Sequence, residues 1–175
     1  MLRKFGIIAV LSLLAVAFAA VPALAVTNFD NAPSGAHYRS GFGEPVCTFA
    51  ANGVTVNCTG TQIAGVGNTN ATQTLAVTTT FTGTCQNPGV NKKTVEPFTE
   101  SETTTTTTPL SPSRNGTLVV PATSATGTSS EEFEETFTCP NPNWEDTVTS
   151  SDVSFTYTLL FAGFQPPDYA ILITG

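Results

Sequence analysis

The chain has 175 residues, with 6 basic and 13 acidic side chains, a formal net charge of −7, one histidine and four cysteines. A field of that sign repels phosphate backbones and anionic lipid, which excludes nucleic acid and anionic membrane surfaces as partners. Threonine makes up about a fifth of the residues after position 25, alongside frequent Val, Phe, Gly, Asn and Pro, so the composition favours strands and turns over helices.

Residues 1–25 read as an export signal. Arg3 and Lys4 precede an apolar run from Phe5 to Val21, and Pro22 then leads into Ala23-Leu24-Ala25. Cleavage is expected after Ala25, leaving a 150-residue chain with 4 basic and 13 acidic residues and a net charge of −9. No later stretch is long and apolar enough to span a bilayer, so a secreted, extracellular product is expected, with no membrane span after cleavage. Residues 26–45 form an N-terminal extension or a first edge strand, and 46–175 a single domain.

The stretch "CTFAANGVTVNC", Cys47 to Cys58, reads as a hairpin. Placing Asn52-Gly53 in a two-residue type I′ turn sets Phe49 opposite Val56, Thr48 opposite Asn57 and Cys47 opposite Cys58. Opposed residues lie within disulfide reach, so Cys47 pairs with Cys58, which leaves Cys85 for Cys139. "AGVGNTNAT", Ala64 to Thr72, is a loop rather than a phosphate cradle, since no helix follows its glycines.

"TLAVTTTFTGTC" sets Leu75, Val77, Thr79, Phe81 and Cys85 on one face, with mostly threonine on the other. An Asn-Pro turn follows at Asn87-Pro88, and the same Cys-x-Asn-Pro pattern recurs at Cys139 to Pro142. A Cys85–Cys139 bond is expected to tie two strand ends together. Lys92-Lys93 read as a solvated loop. In "KTVEPF", Pro97 marks an edge strand or a loop end, and the tract Thr99 to Ser113 reads either as a mobile, O-glycosylated stretch or as a β-branched edge strand ending at Pro109, the strand being preferred because the tract is short and lies mid-domain. "GTLVVP", Gly116 to Pro121, is a short strand.

"SSEEFEETF", Ser129 to Phe137, begins with Ser-x-x-Glu and carries acids suited to a helix start, yet Phe133, Phe137 and Cys139 also fit alternation. A short helical turn leading into a strand is expected. "DVSFTYTLLFAGF" is a long amphipathic strand with Val153, Phe155, Tyr157, Leu159 and Phe161 on one side, paired with the C-terminal "DYAILITG". Seven to nine short strands with turns between them define an all-β fold: an antiparallel β-sandwich, immunoglobulin-like or similar, with two disulfides and little helix beyond the signal.

No catalytic motif appears. His37 reads as an ordinary surface residue, and no Gly-x-Ser-x-Gly, His-Glu-x-x-His or Walker sequence occurs. Glu131, Glu132, Glu134 and Glu135 are the densest acidic cluster; a calcium site there is weighed against a solvated acidic face, and the second reading is preferred because no Asp-x-Asp-x-Asp-Gly loop organises ligands. No cofactor or metal is expected. Trp144, with Asn141 and Asn143 beside it, either packs over the Cys85–Cys139 bond or offers a stacking platform for a sugar or a protein partner. Asn57, Asn70 and Asn115 sit in Asn-x-Thr sequons, which matter only in a eukaryotic host.

"CTGTQIAGVGNTNATQTL", "TCQNPGVN" and "FTCPNPNW" together resemble a group of uncharacterised small secreted proteins of high-GC Gram-positive bacteria, over Cys47 to Gly175. The resemblance implies an exported, disulfide-bearing β domain and no particular substrate. The expected function is a non-enzymatic extracellular module that recognises a protein or cell-envelope surface. A carbohydrate-binding module using Trp144 is the alternative, and a secreted hydrolase the third reading.

Overall fold

The computed structural model describes residues 24–89 and 95–175. The expected export signal therefore lies outside the described residues, apart from Leu24 and Ala25, and so does the loop expected at Lys92-Lys93. The chain is an all-β sandwich. In chain order its strands are β1 (Leu24–Thr27), β2 (His37–Tyr38), β3 (Cys47–Phe49), β4 (Thr55–Cys58), β5 (Thr61–Ala64), β6 (Ala71–Gln86), β7 (Val95–Leu110), β8 (Leu118–Val120), β9 (Thr123–Thr126), β10 (Glu145–Phe161) and β11 (Ile171–Thr174), with one helix, α1 (Ser130–Thr136). One layer is a five-stranded sheet in the order β1-β11-β10-β6-β7. Two three-stranded sheets, β2-β5-β8 and β3-β4-β9, make up the rest. Every strand pairing is antiparallel.

Three strands dominate because their alternation is sustained. β6 buries every second residue along all sixteen positions, including Leu75, Val77, Phe81 and Cys85. Opposite it, β10 contributes Phe155, Tyr157, Leu159 and Phe161, and β11 adds Ile171 and Ile173. Val56, Ile63, Leu118, Val120 and Ala125 of the small sheets close over Leu75, Val77 and these β10 and β11 residues into one core, which does not include Phe81 and Cys85.

The tract Thr99 to Ser113 lies mostly in β7, at the edge of the sheet, and β7 runs unbroken against β6 from Ala71↔Leu110 to Gln86↔Val95. Gly83 faces Phe98 in this ladder. A Cβ on Gly83 would come within 2.4 Å of the Phe98 ring and 2.3 Å of the Thr147 carbonyl oxygen, so the aromatic ring fills the place of the missing side chain.

Both expected disulfides are present, Cys47–Cys58 and Cys85–Cys139. The register of the first hairpin is as expected, with Cys47↔Cys58, Thr48↔Asn57 and Phe49↔Val56. Its turn is not. A type I′ turn needs positive φ at both central residues, and only Gly53 has it, at 74°. The Asn52 side chain instead accepts from the backbone N–H groups of Val54 and Thr55, which makes a wider loop.

Ser130–Thr136 are helical, with Ser129 and Phe137 as extended caps, and the expected strand directly after them is absent. Ser129 and Glu132 form a reciprocal capping box, 3.2 Å from the Glu132 N–H to the Ser129 hydroxyl and 2.9 Å from the Ser129 N–H to the Glu132 carboxylate. Phe133 and Phe137, one helical turn apart, therefore share a face, and Cys139 follows in irregular chain. The second disulfide consequently joins the end of β6 to the segment after α1, rather than two strand ends.

The repeated Cys-x-Asn-Pro pattern does make the same turn twice. The Asn87 side chain accepts from the Gly89 N–H at 2.9 Å, and the Asn141 side chain accepts from the Asn143 N–H at 3.1 Å. In each case the carboxamide holds the backbone two residues on, while proline presets φ between them.

Candidate functional site

The outer face of the five-stranded sheet is the most distinctive surface. Its composition follows from register. On β6 the buried residues are odd-numbered, so the even positions lie on the other face: Thr72, Thr74, Ala76, Thr78, Thr80, Thr82, Thr84 and Gln86. Their partners on β7 are Thr107, Thr105, Thr103, Ser101 and Thr99, flanked by Pro109 at one end and by Pro97 and Val95 at the other. On β10 the partners are Thr158, Thr156, Ser154, Ser150 and Thr147, interrupted by Asp152 and ended by Leu160 and Glu145. Sixteen of these twenty-four positions carry a hydroxyl, of which Thr158 is buried, and two, Asp152 and Glu145, carry a charge.

Strand geometry spaces these side chains at roughly 4.8 Å across the sheet and roughly 6.8 Å along it, giving a field of about 800 Å². Cross-strand bonds fix some rotamers: Thr78 to Thr103 at 2.8 Å and Thr80 to Ser101 at 2.9 Å, hydroxyl to hydroxyl. Beyond β10 the field gives way to an apolar margin. Leu172 of β11 is paired with Val26 of β1, which is 59 % exposed; Leu24, paired with Thr174, and Ala25 precede the expected cleavage point, which falls within β1.

The charge of the chain lies elsewhere. Glu96, Glu100 and Glu102 of β7 share the opposite face of the sheet with Cys85, Phe81 and Thr79. Their neighbours there are the acids of α1, and several of these carboxylates already hold protein groups. Glu102 accepts from the Thr128 hydroxyl at 2.6 Å, Glu134 accepts from the Val148 N–H at 3.2 Å, and Glu132 is committed to the helix cap. Those cap bonds from the Ser129 backbone and hydroxyl hold the Glu132 carboxyl below its ordinary pKa. Among the described residues no three His, Cys, Asp or Glu side chains converge to hold a metal ion.

Trp144, Asn141 and Asn143 lie in the turn that leads into β10, beyond the end of the hydroxyl field. Trp144 is half-buried and its backbone N–H donates to the Asn141 carbonyl at 3.0 Å; Asn141 and Asn143 are exposed. The Asn141 carboxamide oxygen is occupied by the Asn143 N–H, so that turn brings together a tryptophan and one uncommitted carboxamide. His37 sits on β2, exposed, with Nδ1 2.8 Å from the Gly35 carbonyl oxygen.

A polar pair is buried in the core instead. Gln73 Nε2 donates to the Pro121 carbonyl at 2.9 Å and lies 3.3 Å from the Tyr157 hydroxyl. Burial pushes the Tyr157 pKa up to about 12. Gln73 Oε1 and Thr79 Oγ1, both buried, have no hydrogen-bond partner among the described residues.

Sequence reasoning identified the threonine side of β6 and the edge strand, but not the field they build. The missing information was which long strands are neighbours: β6 meets β10 across some sixty residues of chain. Two disulfides are characteristic of proteins in oxidising compartments, and no helix among the described residues is long and apolar enough to cross a membrane. No family model, curated protein or solved structure matches this chain.

Proposed function

We propose that the chain is a non-enzymatic module, exported from the cell, that docks onto an uncharged, hydroxyl-bearing polymer of the cell envelope through the Thr/Ser face of its five-stranded sheet. The observation that carries this reading is the segregation of charge: an acidic chain presents one broad face with fifteen hydroxyl residues that are not buried and two carboxylates, Asp152 within it and Glu145 at its end. Hydroxyl and methyl groups alternate over that face, suiting the mixed polar and apolar surface of a glycan, whose hydroxyls both donate and accept. β-Branched side chains have few rotamers to lose on contact, which lowers the entropic cost of binding.

The test is co-sedimentation with insoluble envelope polysaccharide stripped of its anionic polymers. Replacing Thr74, Thr78 and Thr80 together by valine preserves strand propensity and shape while removing three hydroxyls. The triple variant is expected to bind at least tenfold more weakly, with Trp144→Ala close to wild type, and raising the salt concentration is expected to change binding little. Unchanged binding by the valine variant, with loss on Trp144→Ala, would overturn the reading in favour of a tryptophan platform.

A further inference from the structure

β7 is the last strand of the five-stranded sheet, and among the described residues no strand lies on its far side. The direction of its backbone groups follows from the ladder. Phe155 and Gly175 exchange two N–H···O bonds, at 2.7 and 3.2 Å, so the Phe155 backbone is directed at the β11 side and Thr156, by alternation, at β6. Thr156 is paired with Ala76, so Ala76 spends its backbone groups on β10 and Val77 spends its own on β7. Val77 is paired with Thr104. The even-numbered residues of β7 are therefore bonded to β6, and the odd-numbered ones direct N–H and C=O outward. These are Thr99, Ser101, Thr103, Thr105 and Thr107, all exposed. The residues that bracket them in the same phase are Pro97 and Pro109, which have no N–H to leave unpaired.

We propose that this edge pairs with the same edge of a second copy, antiparallel about Thr103, to form a continuous ten-stranded sheet. The open interval is symmetric about that residue. With Thr103 opposite Thr103, Ser101 falls opposite Thr105 and Thr99 opposite Thr107, and every free donor and acceptor between the prolines meets its counterpart. A two-fold axis normal to the sheet keeps the hydroxyl faces of the two copies on one side. The carboxylates of β7 lie on the other face, where Glu102 stands opposite Thr104 and Glu100 opposite Thr106, so no two acids are directly opposed. β7 carries no lysine, the residue with which exposed edges most often deter such pairing.

The test is the mass of the mature chain in solution, by sedimentation velocity across a concentration series at low and moderate salt. A mass of two chains is expected, with the dimer favoured by salt because both partners are acidic. Thr103→Lys, checked by circular dichroism for retention of the fold, is expected to sediment as one chain, whereas Thr72→Lys, on β6, remains a dimer. A Thr103→Cys variant is expected to form an inter-chain disulfide on mild oxidation. A one-chain mass at every concentration, a dimer that survives Thr103→Lys, or a dimer in which Cys at position 103 does not cross-link would each overturn the proposal. None of these readouts involves polysaccharide, so the docking reading and the pairing fail separately.

Discussion

Phe133 of α1 stacks on Phe81 of β6 with ring centroids 4.1 Å apart and planes inclined by 15°. Phe137 stacks in turn on Phe133 at 4.9 Å and lies 4.4 Å from Phe98 of β7, so one helical turn closes a four-ring cluster beside the Cys85–Cys139 bond. Phe81 and Phe133 are almost wholly buried there, at 0 % and 2 % exposure. The helix is held by this cluster and by its cap, since a helix this short is not stable by propensity alone.

Phe133→Ala is expected to destabilise the protein by about 3–5 kcal/mol, the range for emptying a buried aromatic site. Denaturant titration measures the loss. An effect below about 1 kcal/mol would mean that α1 is not docked as described.

Thr79→Val removes a buried hydroxyl that has no partner while keeping the shape of the side chain. The expected outcome is stabilisation by about 1 kcal/mol, read as a higher denaturant midpoint at unchanged slope. A destabilised variant would show that the hydroxyl is hydrogen-bonded.

The cap of α1 responds to acid. Glu132 has a folded pKa below its ordinary value, so its contribution is fully present above the unfolded value and is lost as pH falls through the folded one. Glu132→Gln is expected to flatten this part of the acid stability profile. Ser129→Ala is expected to cost about 1 kcal/mol at neutral pH, as for other lost caps. Acid titrations of the two variants beside wild type check both statements.

Tyr157 sets the alkaline limit. Its phenol ordinarily ionises near 10 and does so in the folded protein only at about 12. Between those values the unfolded chain releases a proton that the folded one retains, so stability falls as pH rises across that window. Denaturation midpoints measured through it are expected to decline, and Tyr157→Phe to decline less steeply.

The legible part of the fold was whatever repeats with period two. Burial along β6 and along Phe155 to Phe161 of β10 could be read directly, and so could the pairing of the four cysteines. The Asn52-Gly53 turn was misread because the dipeptide permits two positive φ angles without requiring them, and the Asn52 carboxamide found backbone donors that favour a wider loop. Residues 129–137 were ambiguous because Phe133 and Phe137, four apart, fit either period. The capping box and the ring stack decide for helix. Ahead of β10, Glu145 to Ser151 could not be read as strand because a bulge between Val148 and Ser150 breaks the alternation.

The separation of carboxylates from hydroxyls across the thickness of the sheet also gives the molecule an electric dipole roughly normal to its strands. Near any anionic surface such a dipole would experience a torque, turning the glutamate side toward bulk solvent and the threonine side inward. On the docking proposed above, the protein would approach its polymer already aligned, and the alignment would weaken as electrolyte shortens the reach of the field.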